Sequence, residues 1–262
     1  MKNLFETLTV AFSMYSKVPT KLVEWTPENR RYTFLAFPLV GLVLGLCWFL
    51  VAFFCDWFGI PALLAGAFLT ALPLLVIGGI HLDGYMDTSD ALASHGDKEK
   101  KLEVMSDPHN GAFAVLHVVI YLIVWFASCT ALVENGRAIQ WLCVALSFVV
   151  SRCLSALAVA TFPMAKGTGL VHAFAEDADK KTVRNVLLAG LLILALTYLA
   201  MDIVYSAFPV AFAIFVMAVL QFFWYRYIAT KHFGGTTGDL AGWFLSKCEL
   251  WMLAAAAVAV SF

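Results

Sequence analysis

Charge is scarce in this chain: Asp, Glu, Lys and Arg together make up 13% of its 262 residues, about half the share found in soluble globular domains. That scarcity excludes an ordinary soluble fold. Also missing is a cleavable leader. The amino end, MKNLFETLTVAFSMYSKVP, is partly apolar, but Glu6 interrupts it and no small-residue cleavage site follows, so we expect a retained segment on the membrane surface. The six cysteines (Cys47, Cys55, Cys129, Cys143, Cys153 and Cys248) lack any CxxC pairing, and their place in or beside apolar runs marks them as inert packing residues. No second domain, linker or internal repeat breaks the chain. We therefore expect one integral membrane domain over 1–262, with an N-terminal arm at 1–32 and a helical bundle at 33–262.

What is abundant is hydrocarbon. Hydrophobic residues reach 62% and the mean hydropathy is +0.84, which identifies a polytopic all-α membrane protein whose principal partner is the lipid bilayer. Taking about 20 apolar residues per crossing, spans are expected near 33–55, 58–80, 112–133, 138–160, 186–204, 207–229 and 240–262. Seven crossings result. The formal charge of −1 conceals a segregation. Thirteen basic residues (Lys2, Lys17, Lys21, Arg30, Arg31, Lys98, Lys100, Lys101, Lys166, Lys180, Lys181, Arg184 and Lys231) fall in the arm and alternate connections, against Arg137 alone on the other side. The excess marks the cytoplasmic side of the cell membrane, so the N-terminus is expected inside. Every motif-like polar segment falls on that same side. No nucleic-acid partner is expected, and the number of copies in the membrane, a homo-oligomer included, is left open.

The most informative segment is GGIHLDGYMDTSDAL, Gly78 to Leu92, directly after the second apolar run. Helical spacings of four and three residues bring Asp83, Asp87 and Asp90 onto one face. Three bare anions beside hydrocarbon repel one another unless a divalent cation neutralises them, and hard carboxylate oxygens suit Mg²⁺ or Mn²⁺. A metal there ordinarily serves phosphate chemistry; the plainer reading is a solvated helix end whose aspartates cap the next turn. His81 is a candidate ligand or phosphate donor, while Gly78, Gly79 and Gly84 allow a ligand close to the backbone. Asp107 and Gly111 sit in a DPHNG turn before the third span and are candidates for metal, ribose or substrate contact, although Asp-Pro and Asn-Gly are ordinary turn chemistry.

Arg152 lies inside the fourth span, where a guanidinium needs an anion or must snorkel; a substrate phosphate or one of the aspartates would serve. Lys166 belongs to a small basic loop, AKGTG, suited to phosphate or to a plain charged connector. GGTTGD, Gly234 to Asp239, ends just before an apolar helix and supplies both an N-cap and an anion-binding helix start. Lys247 and Glu249 suggest a polar interior face on that helix, or pairing with other buried groups.

These segments, in this order and over nearly the whole chain, resemble the adenosylcobinamide-GDP ribazoletransferase family, also called cobalamin synthase. The carrying residues are SKVP at Ser16 to Pro19; Phe37, Pro38 and Gly41; GGIHLDGYMDTSDA against a family pattern GGxHLDGxxDTxDG; Met105, Asp107 and Gly111; Ser151 and Arg152; and Gly234, Gly235, Thr237, Gly238 and Asp239 of GGxTGD. Departures are Ala91 for the last Gly, Tyr85-Met86 for Leu-Ala, and His109-Asn110 where a basic residue is common. The resemblance implies transfer of the cobinamide phosphate from its GDP-activated form, adenosylcobinamide-GDP, to α-ribazole or α-ribazole 5′-phosphate, with GMP leaving and Mg²⁺ assisting. On that reading Asp83 and Asp87 hold the metal, Asp90 is a further ligand or the general base, Arg152 and Lys166 clamp phosphate, and Gly234 to Asp239 contact nucleotide or ribazole.

Three other classes were weighed. A CDP-alcohol phosphotransferase of phospholipid synthesis shares the aspartate series, but Asp83-Gly84 is not followed by Ala-Arg. A prenyltransferase would carry two aspartate-rich motifs. A cation transporter would place its charges near mid-span.

Overall fold

The computed structural model describes residues 2–205 and 209–261. The expected span limits at 207 and 262 fall outside them. An amphipathic α1 (Lys2–Tyr15) and a single turn α2 (Pro27–Arg30) precede a long apolar α3 (Thr33–Trp57) and α4 (Ala62–Ile77). After a break come α5 (Ile80–Ala93), the surface helix α6 (Lys98–Val104), α7 (Ala112–Asn135) and α8 (Ala138–Thr161). The short α9 (Leu170–Asp177), then α10 (Lys180–Tyr205), α11 (Val210–Ile228) with a π turn at Ala229–Phe233, and α12 (Gly238–Val260) complete the chain.

Among the described residues six helices, α3, α7, α8, α10, α11 and α12, are long and apolar enough to cross a membrane, and α4 and α5 add a seventh if the bent pair is counted as one span. The protein is a multi-pass membrane helix bundle. α8 and α12 form its interior, with α3, α5, α7 and α11 packed around them. Small side chains on the two central helices, among them Ser147, Ser151, Ser155, Gly242 and Ser246, let backbones approach where hydrophobicity alone gives no preference for helix over lipid. All six cysteines are free and five are buried, in keeping with packing.

Two expectations are corrected here. The second apolar run does not continue through residue 80: Gly78 and Gly79 both take positive φ, 86° and 85°, and α5 leaves α4 at 95°. Only residues without a Cβ adopt that backbone cheaply in succession. α4 and α5 are therefore two helices joined at a sharp break. The N-terminal arm, in turn, is not merely laid on the surface. Val10 and Ala11 are fully buried, Tyr15 nearly so, and α1 packs on α3. The Lys17 amide donates to the Val76 carbonyl at 2.8 Å, tying the SKVP segment to the last turn of α4.

Candidate functional site

α5 meets α12 through two glycines. A Cβ on Gly84 would lie 2.6 Å from the Asp239 carbonyl oxygen, and one on Gly242 would lie 3.3 Å from the His81 backbone; the Ser246 hydroxyl donates to the His81 carbonyl at 3.2 Å. This contact brings His81 and Asp83 to the start of α12. There the GGTTGD loop is fixed from the other side: the Thr236 amide donates to the Pro163 carbonyl (2.8 Å) and the Ala165 amide to the Thr236 carbonyl (2.9 Å), and the Thr236 hydroxyl bonds Tyr225. Thr237 caps α12 by accepting from the Leu240 amide at 3.1 Å.

The result is a cavity of about 360 Å³, lined by residues from four distant parts of the chain. Of the residues singled out in the sequence, His81, Asp83, Lys166, Thr237, Gly238 and Asp239 line it. Lys166 reaches Ser106 Oγ at 2.6 Å and brings a cation to a cavity that also holds Asp83 and Asp239. The N-terminus of α12 adds a positive partial charge. Carboxylates and a cation thus share one cavity. His81 Nε2 is buried with no partner among the described residues, a state native structures rarely leave unexplained; a ligand in the cavity would satisfy it.

Asp87 stands one turn beyond Asp83. Burial, then the charges of Asp83, Asp239 and Asp90, push its carboxyl up to about 6. The crowding of four acids around one position is the chemistry that a hard divalent cation relieves. Among the described residues no three His, Cys, Asp or Glu side chains are drawn into a cage; two carboxylates would leave the remaining positions of a Mg²⁺ ion to water and substrate phosphate.

Several sequence-based roles are corrected. Both Asp90 oxygens are committed: Oδ2 accepts from the Gly111 amide at 2.5 Å and Oδ1 from the Ala114 amide at 2.8 Å. Asp90 caps α7, a structural role that spacing on α5 did not show. Gly111 serves the same joint, because a Cβ there would sit 2.8 Å from the carboxylate, and it is not among the residues that line the cavity. Gly84 is spent on the α12 contact. Asp107 is exposed and bonded to the His109 amide and ring, both at 2.9 Å, bonds that draw its carboxyl below the usual range; it stands apart from the cavity. Gly234 ends the π turn at φ 77°, and Gly235 is pressed under Pro163 to Ala165, so both shape the loop.

The largest correction is Arg152. It is 1% exposed and ion-paired with Glu249 of α12, while its guanidinium lies over the rings of Phe37 and Phe148. Its anion is neither substrate nor one of the three aspartates. Lys247 faces elsewhere, with Nζ 5.0 Å from the Trp243 ring centre. Sequence reasoning also missed Met14, Tyr15 and His172, which line the cavity. The Tyr15 ring stacks on His81 at 6.2 Å; its position just before SKVP was the available signal. His172 had none.

Comparison with known proteins identifies the family. The cobalamin-5-phosphate synthase family profile matches residues 7–257. A Lachnoclostridium phytofermentans protein named adenosylcobinamide-GDP ribazoletransferase is 41% identical over 244 residues, 93% of this chain and 90% of that one. Proteins of the same name from Clostridium perfringens strain SM101 (30% identical; 95% and 96% covered) and Pseudomonas fluorescens strain Pf0-1 (33%; 94% and 96%) also match. No solved structure matches. From its matched motifs and its near-complete coverage, the chain belongs to the cobalamin-5-phosphate synthase family.

Proposed function

We propose that this protein joins GDP-activated adenosylcobinamide to α-ribazole or α-ribazole 5′-phosphate, giving adenosylcobalamin or its 5′-phosphate and releasing GMP. The reading rests on the family and on one structural observation: acids from α5 and α12 share a single cavity with Lys166 and a helix N-terminus. The acceptor's ribose hydroxyl attacks the cobinamide phosphorus; the new P–O bond forms as the diphosphate P–O bond to GMP breaks, and GMP leaves with that electron pair. Asp239, which lines the cavity, would accept the hydroxyl proton. Lys166 and the α12 N-terminus hold phosphate oxygens, and His81 Nε2 donates to substrate. Asp83 and Asp87 would hold Mg²⁺. Bound there, the ion supplies charge neutralisation at the diphosphate as negative charge moves onto GMP.

The distribution of Lys and Arg supports a cytoplasmic-membrane protein with its N-terminus inside and this cavity open to the cytoplasm. The phospholipid-transferase alternative shares only the aspartate series, since the Ala-Arg expected after Asp83-Gly84 is replaced by Tyr85-Met86. The test is GMP release from the GDP-activated corrinoid, with and without α-ribazole and Mg²⁺. Release is expected only with both, and Asp83→Asn is expected to lose it at saturating Mg²⁺. Near-normal turnover by a folded Asp83→Asn protein would remove the metal role.

A further inference from the structure

A second cavity, of about 410 Å³, lies between α8, α10 and α11, away from the reaction cavity. Its lining has a regular order. Thr161 in the last turn of α8, Arg184 in the early turns of α10 and Arg226 in the last turns of α11 form one rim. Leu157, Leu188 and Phe222, each four residues from one of those three and deeper in its span, form the floor. A displacement of four residues is one helical turn, so three helices step from polar to apolar at the same depth.

The two arginines differ from three of the other four, the exception being Arg137 at the opposite boundary. Arg30, Arg31 and Arg152 are each paired with a carboxylate. Arg184 instead reaches only the neighbouring Asn185 amide oxygen, at 3.2 and 3.3 Å, and Arg226 lies 5.9 Å from the Phe162 ring centre; among the described residues neither has an acidic partner. Two guanidiniums without anions above a hydrocarbon floor match an amphiphile with a phosphate head. We infer that this groove seats one anionic phospholipid, its phosphate between Arg184 and Arg226 and an acyl chain along Leu157, Leu188 and Phe222. The occupant comes from the bilayer because Leu188, 48% exposed, and the exposed Arg184 open the groove to the outer side of a span, where a free anion has nothing to gain.

The test is native mass spectrometry of the detergent-purified protein offered equal amounts of phosphatidylglycerol and phosphatidylcholine. The wild type is expected to retain one phosphatidylglycerol per chain, favoured by roughly tenfold or more, and inorganic phosphate at millimolar concentration is expected not to displace it. Arg184→Gln/Arg226→Gln should remove the preference, while Arg137→Gln, which deletes one charge at the opposite boundary, should keep it. Equal retention of the two lipids by the wild type would overturn the assignment whatever becomes of the variants. Displacement by phosphate alone would overturn it too, since that marks a free-anion site. An unchanged preference in the double variant would show that the two arginines do not make the site.

Discussion

Removing the Glu249 carboxylate exposes the energetics of the bundle interior more directly than any other single change. Glu249 is 5% exposed and Arg152 1%; Ser151 donates to Glu249 Oε1 at 2.8 Å, and Arg152 Nη1 also reaches the Phe148 carbonyl at 3.0 Å. Glu249→Ala leaves a guanidinium buried among α3, α8 and α12 with only that carbonyl, the Ser151 hydroxyl and two aromatic faces to offset its lost hydration. Breaking a buried pair from one side costs about 3–5 kcal/mol, which lowers the folded fraction by roughly two to four powers of ten. Replacing both partners by apolar residues removes the desolvation debt as well, so Arg152→Met/Glu249→Leu is expected to fall within about 1 kcal/mol of wild type or above it. The eight tryptophans report unfolding as dodecyl sulfate is titrated into mixed micelles, and GMP release is measured on the same samples. A Glu249→Ala midpoint equal to wild type would refute the argument from burial. A stable double variant that no longer releases GMP would return Arg152 to the phosphate-binding role that its place in the sequence suggested.

Three other perturbations follow from the site. Because the metal-free Asp87 carboxyl is raised to about 6, protons compete with Mg²⁺ below that pH: Mg²⁺ titrations of GMP release should show apparent affinity level above pH 7 and falling about tenfold per unit below 6, and Asp87→Asn should weaken Mg²⁺ binding and abolish the pH dependence. Asp90→Ala removes the α7 cap and is expected to cost about 0.5–2 kcal/mol of stability, with a smaller effect on turnover than Asp83→Asn; equal losses of turnover in folded proteins would restore Asp90 to the metal. Gly84→Ala drives a methyl into the Asp239 backbone, with contacts at 2.6–3.1 Å, and should cost roughly 1–3 kcal/mol together with activity. The control is Gly190→Ala, where nothing lies within 4 Å and thermal unfolding should change little.

The crossings were legible because hydrophobic length is a one-dimensional property. Five of the expected spans begin or end within a few residues of α3, α7, α8, α11 and α12. The fifth expected span started late, at 186 rather than Lys180, because charged residues in a helix's first turns look like loop to a hydropathy scan. The break at Gly78–Gly79 was hidden for the opposite reason: apolar residues run up to it, and nothing in hydropathy distinguishes a glycine tolerated in a helix from one holding a left-handed turn. Motif residues from separate segments were found, but their division of labour was not. A family pattern marks Asp90, Gly111 and Gly84 as strongly as Asp83, yet the first two build the α5–α7 joint and the third the α5–α12 joint.

Helical spacing explains why this division escaped a reading of α5 alone. Positions 83, 87 and 90 do share a face, but a face has length, and different neighbours cover its two ends. At the outer end α7 begins, and its unsatisfied amides at Gly111 and Ala114 capture Asp90, as helix N-termini capture any nearby carboxylate. Further back α12 begins, but Thr237 already caps it, so Asp83 is left facing the cavity instead of being consumed by the helix. The same local chemistry, a carboxylate beside a helix start, therefore yields a structural cap in one case and a free acid in the other. What separates them is a threonine some 150 residues away, and Asp239, one residue beyond the first position of that capped helix, brings a second carboxylate to the cavity that Asp83 lines.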